Sequence, residues 1–317
     1  MIKAIITGAA GFLGSHLTKS LLNKGYIVVG LDNLCTGKET NLSAFINHPQ
    51  FKLLRVNVAN PEVRELEEVQ EADEIYHLAS PASPKFYQDN PFETIDINTI
   101  GTRNMLDIAL RTGAKFLFTS TSEAYGDPEV HPQPESYRGN VNTFGPRACY
   151  DEAKRLGEVY CYEYYARFGV RVKVARVFNT YSAGLRNDDG RVISNFVNQA
   201  LSNLDITVYG DGSQTRSFCY VDDTVEALRL LMVKKDTEGE IVNIGNPIEY
   251  SVLEVAQLVK EMAQSNSKIT FHPLPQDDPK VRQPVIDKAK KLLGWEPQIT
   301  LEDGLKRTIE AYQAQLV

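Results

Sequence analysis

Tyr150 and Lys154 are the residues whose types and spacing most directly offer chemistry in this chain. In Cys149-Tyr150-Asp151-Glu152-Ala153-Lys154 they stand four apart, so a helix would carry both on one face, one turn from each other. A phenol with a pKa near ~10 is a poor base at neutral pH. A neighbouring ammonium favours the phenolate and lowers that pKa, which would make the pair a proton-transfer device for an alcohol. The same spacing also occurs on many solvated helix faces, so the elements that position the pair must decide.

The N-terminal segment supplies the first of these elements. Residues 3–7 read as a short buried strand that runs into Gly8-Ala9-Ala10-Gly11-Phe12-Leu13-Gly14. An amphipathic helix is expected over 15–23, with Leu13, Leu17, Leu21 and Leu22 on one side. Gly25 stops it, and a second strand over 27–31 ends in Asp32, 18 residues after Gly14. In this order each part has a task. Gly8 allows a tight turn, Gly11 lets the backbone approach a pyrophosphate at the helix start, and Gly14 lets helix and strand pack closely. Asp32 can accept hydrogen bonds from both adenosine ribose hydroxyls, and its charge would repel a 2′-phosphate. NAD is therefore expected rather than NADP.

Further strands are expected at 51–56, 74–79, 115–119 and 172–176. A long helix is expected over 92–112, carrying Asn98, Thr102 and Asn104. This alternation predicts an α/β fold, a Rossmann-type doubly wound parallel sheet that binds ligands at the carboxyl ends of its strands. His77 is expected as a core or strand-end histidine. Thr121, Ser122 and Glu123 follow the strand at 115–119, where such folds place their chemistry, although hydroxyls there also satisfy turns. In the second half, helices are expected at 192–201, 221–233, 251–263 and 301–315, with strands at 206–209 and 217–220. Arg191, Arg216 and Arg282 lie in these later segments, and Arg suits phosphate oxygens by its fork geometry. Tyr209 is placed either to stack on a base or to pack.

Several segments carry a closer likeness. They are His77-Leu78-Ala79-Ser80-Pro81-Ala82-Ser83-Pro84, Thr121-Ser122-Glu123-Ala124-Tyr125-Gly126-Asp127-Pro128 and Gly145-Pro146-Arg147-Ala148-Cys149-Tyr150-Asp151-Glu152. They continue with 189–196, 209–218, Gly245-Asn246-Pro247, Asp277-Asp278-Pro279 and Arg282. The chain resembles the extended short-chain dehydrogenase/reductase superfamily of nucleotide-sugar enzymes, and within it the UDP-glucuronate decarboxylases, over essentially its whole length. Sister 4,6-dehydratases have Asp where this chain has Ser122, and sister 4-epimerases lack the Glu at 123. Two departures stand out. Tyr181-Ser182-Ala183-Gly184-Leu185 replaces a common Tyr-Gly-Pro-Arg-Met, and Asn57 stands where the superfamily usually has Asp.

The resemblance implies oxidation of a UDP-sugar at C4, decarboxylation of the resulting β-keto acid and return of hydride, giving UDP-xylose with NAD regenerated. It implies Thr121, Ser122, Glu123, Tyr150, Lys154 and Arg282 as the catalytic set. For NAD it implies Gly8, Gly11, Phe12, Leu13, Gly14, Asp32, Asn33, Thr36, Asn57, Val58, Leu78, Ala79, Ser80, Asn98, Thr119, Phe178 and Thr180, together with Tyr150 and Lys154. For the UDP-glucuronate substrate it implies Pro81, Ala82, Ser83, Tyr87, Asn179, Gly190, Arg191, Val192, Tyr209, Gln214, Arg216 and Arg282, with Glu123 and Tyr150. A nucleotide domain over 1–178, rejoined by 217–245, and a sugar-nucleotide domain over 179–216 and 246–317 are expected. So is a homodimer built on the helix that bears Tyr150, with Tyr160, Tyr164 and Tyr165 in its interface or in the core. A 4,6-dehydratase, a 4-epimerase or a non-catalytic NAD-binding sensor are the competing readings.

Composition fits this picture. The 317 residues carry a formal charge of -7, which argues against a nucleic-acid partner. Cys35, Cys149, Cys161 and Cys219 are scattered without a C-x-x-C pair, so neither a disulfide framework nor a metal site is expected. No apolar run suggests a membrane span and no signal peptide is apparent, which makes a cytoplasmic protein the expectation.

Overall fold

Short runs rich in Val, Ile, Leu and Phe, buried on both faces, build one parallel sheet, as such runs do when helices cover both sides. The computed structural model describes residues 1–186, 189–274, 279 and 281–316, so Asp277 and Asp278 lie outside the described residues. In chain order the strands are β1 (Lys3–Thr7), β2 (Ile27–Asp32), β3 (Phe51–Arg55), β4 (Glu74–His77), β5 (Lys115–Thr121), β6 (Val172–Val177), β7 (Thr180–Tyr181), β8 (Ile206–Tyr209), β9 (Thr215–Ser217), β10 (Cys219–Tyr220), β11 (Ile241–Ile244), β12 (Glu249–Ser251) and β13 (Ile269–His272). The helices are α1 (Phe12–Asn23), α2 (Pro84–Asp89), α3 (Pro91–Asp96), α4 (Thr102–Thr112), α5 (Ala148–Phe168), α6 (Val192–Leu201), α7 (Val221–Val233), α8 (Val252–Met262), α9 (Asp287–Leu293) and α10 (Leu301–Leu316).

The large sheet has the order β11-β6-β5-β4-β1-β2-β3, with every neighbouring pair parallel. The chain winds outward from β1 in one direction and from β4 in the other. The carboxyl ends of those two strands therefore open the crevice in which this fold binds ligands. Gly8 follows β1 and Leu78 follows β4, so both lie at that crevice. One core lies on the face covered by α1 and α7, and a second lies beneath α4 and α5. The doubly wound parallel sheet is the architecture expected from the alternating pattern.

Two expected elements differ. The helix expected over 92–112 runs unbroken through α3 and α4, but between them, at Ile97–Gly101, its hydrogen bonding widens to a π turn. Thr99 and Thr102 donate their hydroxyls to Ile95 O and Asn98 O, at 2.7 Å each. The strand expected at 217–220 is split in two. β9 pairs antiparallel with β12, while β10 pairs parallel with β7. Together with the pair β8 and β13, these small sheets stand apart from the large one.

Candidate active site

Helix α5 carries the Tyr–Lys pair, and its buried face includes Tyr150, Asp151, Ala153, Lys154, Gly157, Cys161 and Tyr164. Gly157 sets its distance from the sheet, since a Cβ there would lie 2.5 Å from the Phe118 ring of β5. The close approach lets Lys154 Nζ donate to Thr119 O at 2.8 Å, near the end of β5. The Tyr150 ring stacks on Tyr87, with centroids 5.0 Å apart and planes within 6°. Lys154 Nζ lies 5.9 Å from the centre of the Tyr150 ring.

The acidities differ from the simple expectation that the ammonium lowers the phenol. Burial pushes the Tyr150 hydroxyl up to about 12; the Thr121 hydroxyl pulls it down and the Glu123 charge adds to the rise. Burial also lowers Lys154 to about 7, against the smaller opposing pull of Cys161 and Glu158. Desolvation outweighs the partner because the ammonium is turned onto a backbone carbonyl. His77 is enclosed, with Nδ1 2.7 Å from Thr7 Oγ1 and Nε2 3.1 Å from Thr102 Oγ1. Burial, and then Lys154, hold it at about 3, so it is a neutral strand-end histidine.

Glu123 stands in the short turn after β5. Arg147 Nη2 donates to its Oε2 at 2.7 Å, and Arg282 Nη1 donates to Oε1. Arg282 Nη2 also reaches Gly126 O at 3.2 Å. Burial would raise the Glu123 carboxyl, but the two guanidiniums overcome it and hold it at about 2. Next to this cluster Asp151 behaves oppositely. Burial and the Glu123 charge raise it to about 7, despite Arg147 and Arg282.

A single cavity of about 590 Å³ runs between these groups and the glycine turn. It is lined by Thr121, Ser122, Glu123, Tyr150, Lys154 and Arg282. The nucleotide end adds Gly8, Gly11, Phe12, Leu13, Gly14, Asp32, Asn33, Thr36, Asn57, Val58, Leu78, Ala79, Ser80, Thr119, Phe178 and Thr180. The far end adds Pro81, Ala82, Ser83, Tyr87, Asn179, Gly190, Arg191, Val192, Tyr209, Gln214 and Arg216. Asn98 alone of the expected set stands behind the wall, donating to Ser80 Oγ at 2.9 Å and to Thr94 O at 2.8 Å. Asn57 lines the cavity, but its Oδ1 already accepts the Ala59 amide at 2.9 Å. Arg216 is buried and donates to Pro279 O at 2.6 Å, and Arg191 pairs with Asp189 at 2.9 Å. Ser83 Oγ, the Tyr87 hydroxyl and Arg282 Nε are buried with no hydrogen-bond partner among the described residues, which marks this wall for a polar ligand.

The nucleotide end fits NAD. Gly11 precedes α1 as its cap, with no side-chain cap bond and no acid in the first turn among the described residues, so the first amides of the helix, from Phe12 on, suit phosphate oxygens. A Cβ on Gly14 would lie 2.0 Å from Gly8 O, and Gly8 itself has φ +72. Asp32 accepts the Ala10 amide at 2.9 Å and the Leu34 amide at 2.8 Å.

Sequence reasoning gave no role to Arg147, Asn41 or the Arg186–Phe86 pair, all of which line the cavity. Asn41 Nδ2 donates to Ala10 O of the glycine turn at 3.0 Å, and Arg186 lies over the Phe86 ring at 5.1 Å. Arg147 precedes Tyr150 by three residues within a motif segment, and its charge was the available signal. Among the described residues no cluster of potential metal ligands occurs, and no helix is long and apolar enough to cross a membrane.

With this fold and site, the chain belongs to the NAD dependent epimerase/dehydratase family, whose sequence profile matches residues 4–245. Within the family it is 52% identical to UDP-glucuronic acid decarboxylase 1 of Danio rerio, over 99% of this chain and 73% of that protein. It is 48% identical to UDP-glucuronic acid decarboxylase 5 of Arabidopsis thaliana, over 99% of this chain and 90% of that protein. Among solved structures it resembles UDP-glucose 4-epimerase of Thermotoga maritima with UDP-glucose (TM-score 0.92, 30% identity, all of both chains). It likewise resembles UDP-glucuronic acid 4-epimerase of Bacillus cereus in complex with UDP-glucuronic acid and NAD (TM-score 0.90, 29% identity, all of both chains).

Proposed function

We propose that this enzyme is an NAD-dependent decarboxylase that converts UDP-glucuronate to UDP-xylose through a 4-keto sugar. The carrying observation is Glu123, ion-paired with both Arg147 and Arg282 in the same cavity as Tyr150. Such a cavity suits a sugar with an acidic end, and the decarboxylases are among the chain's similar relatives.

The glycine turn and the first amides of α1 would hold the pyrophosphate of NAD, Asp32 the adenosine ribose and Lys154 the second ribose. NAD held there would supply a hydride acceptor and donor for sugar C4, and the positive charge of its oxidised ring would favour the Tyr150 phenolate. Tyr150 takes the proton of the 4-hydroxyl, with the Thr121 hydroxyl on the same oxygen. Once C4 is a ketone, the C5 carboxylate belongs to a β-keto acid and leaves as CO₂, with the electrons held as an enolate. Ser122 and Glu123 orient the ring, and Arg282 or a water it holds returns a proton to C5. Arg191 and Arg216 face the diphosphate, and Tyr209 the base.

The test is incubation with UDP-glucuronate and NAD, following CO₂ and nucleotide-sugar products. CO₂ and UDP-xylose are expected; turnover of UDP-glucose or UDP-galactose without CO₂ would establish a dehydratase or epimerase instead. Tyr150→Phe should abolish turnover and leave UDP binding intact, whereas near wild-type activity would show that the base is another group.

The enzyme acts as a homodimer in this reading. Phe92, Ile95, Ile100, Leu156, Val159 and Tyr162 are exposed on the adjoining α3, π turn and α5, an apolar surface that suits a second copy. Tyr164 is buried and bonded to Asp107, Tyr160 is half-buried, and Tyr165 is exposed and packs over Gly239. Sedimentation at micromolar concentration should give a dimer; a monomer would sink this reading. The cysteines are free, which suits work in the reducing cytoplasm.

A further inference from the structure

Arg282 reaches Glu123 from a stretch, 281–285, that has no helix or regular strand of its own. Glu123 lies 159 residues earlier in the chain. The pairing therefore needs something to fix both backbones, and one buried polar node does so. Gln133 is fully enclosed within the long link between Gly126 and Arg147, a loop of a length that compact domains seldom keep without a use.

Gln133 grips the residue beside Arg282 from both sides. Its backbone amide donates to Gln283 O at 2.8 Å, and its side-chain Oε1 accepts the Gln283 amide at 2.9 Å. Its carbonyl accepts the Val285 amide at 2.9 Å. Asn243, enclosed on β11, closes the node. Its Nδ2 donates to Gln133 O at 3.0 Å and to Val285 O at 3.1 Å. Its Oδ1 accepts the Tyr125 hydroxyl at 2.8 Å. Tyr125 ends the turn Ser122–Tyr125 that carries Glu123. Both halves of the Glu123–Arg282 pair are thus tied, two residues or fewer from each, to one satisfied network.

We infer that Gln133 and Asn243 are positioning residues that hold Arg282 against Glu123 and thereby set recognition of the sugar's acidic end. This rests on the decarboxylase reading above. A buried network in which every member is satisfied specifies a single arrangement, and a displacement near 1 Å at a binding group costs up to about 100-fold.

The test is Gln133→Met, which keeps length and bulk but removes the acceptor for Gln283 and the donor to Val130. The KM for UDP-glucuronate should rise about tenfold or more, while inhibition by UDP, which lacks the sugar, stays within about twofold. Gln133→Glu retains an oxygen for the Gln283 amide but loses the donor to Val130 O, so its KM should lie between those of the Met variant and the wild type, and a KM no better than the Met variant's would count against the Gln283 bond as the positioning contact. An unchanged KM, or equal losses for UDP and UDP-glucuronate, would overturn the inference. If the Met variant aggregates, Tyr125→Phe carries the same comparison, with an expected shift of about threefold and no shift counting against it. CO₂ release by the wild type, measured alongside, separates this failure from failure of the decarboxylase reading. Where the wild type releases none, calorimetric affinities for UDP-glucuronate and UDP decide by the same ratio.

Discussion

Asp32 is buried at the end of β2 and Glu123 is half-buried just after β5 of the same sheet, and their acidities move in opposite directions. Asp32 closes β2 and receives backbone amides from its own neighbourhood, those of Ala10, Gly11 and Leu34. Burial wins there and raises its pKa, with those amides offsetting part of the rise. Glu123 is somewhat more exposed, yet two guanidiniums from distant segments hold it at about 2. The nucleotide end is thus a local device whose charge waits for hydrogen-bond donors from a ligand, while the sugar end neutralises its charge from within. The first is built from a contiguous stretch. The second exists only once the chain has folded.

Glu123→Gln tests this contrast most severely. It leaves Arg147 and Arg282 facing a neutral amide, and breaking one partner out of a buried ion pair costs ~3–5 kcal/mol. A fall in kcat/KM of roughly 100-fold or more is expected, with the NAD dissociation constant within about twofold. A matching loss of NAD affinity, read by fluorescence titration, would mean that the two ends are not independent. The same variant carries a pH signature. Glu123 has a folded pKa below its usual 4.5, so its stabilisation is present above pH 4.5 and is lost as pH falls toward about 2. The wild type's advantage over Glu123→Gln in chemical denaturation should therefore shrink across that window. Asp32 has the opposite sign. Its folded pKa lies above 3.8, so its protonated form stabilises below pH 3.8 and that contribution is lost as pH rises through the folded value. Asp32→Asn should gain on the wild type as pH climbs past 3.8, and a gain in the acid direction would reverse the assignment.

The same contrast explains what the sequence could convey. The glycine turn, α1 and Asp32 are contiguous, and each residue type has one physical task, so the cofactor and the parallel sheet were legible. Glu123 and Tyr150 were legible by position, one after a strand end and the other on a helix face. Arg282 was reached through resemblance, because no periodicity links it to a carboxylate 159 residues earlier. Arg147 was overlooked because a buried cation just ahead of a helix looks, in a string of letters, like any solvated arginine. The π turn at Ile97–Gly101 was missed because apolar spacing over 92–112 suits one helix, and the hydroxyls of Thr99 and Thr102 bond back to the preceding turn as Thr94 and Thr112 do in regular helix, so they give no separate signal. The expected lowering of the Tyr150 pKa failed for a similar reason, since spacing placed Lys154 on the right face but did not reveal that its ammonium turns to Thr119 O.

The mildest test lies at the nucleotide end itself. Asn57 departs from the family's usual Asp, and the amide oxygen expected to accept the adenine amino group is already engaged by Ala59 N–H. A carbonyl oxygen has two lone pairs, so one acceptor direction remains. A carboxylate in its place would keep the Ala59 bond through one oxygen and present the other fully to the adenine. The gain is that of one modest hydrogen bond offset by desolvating a charge, so Asn57→Asp should tighten NAD by about twofold to threefold, near ~0.5 kcal/mol. Calorimetry with NAD at constant pH reads it directly. Tightening confined to NAD, with UDP inhibition unmoved, supports a nucleotide end that is built and tuned locally. A change that also reached UDP would mean that even this small substitution is felt at the sugar end, and that the division drawn between Asp32 and Glu123 is too sharp.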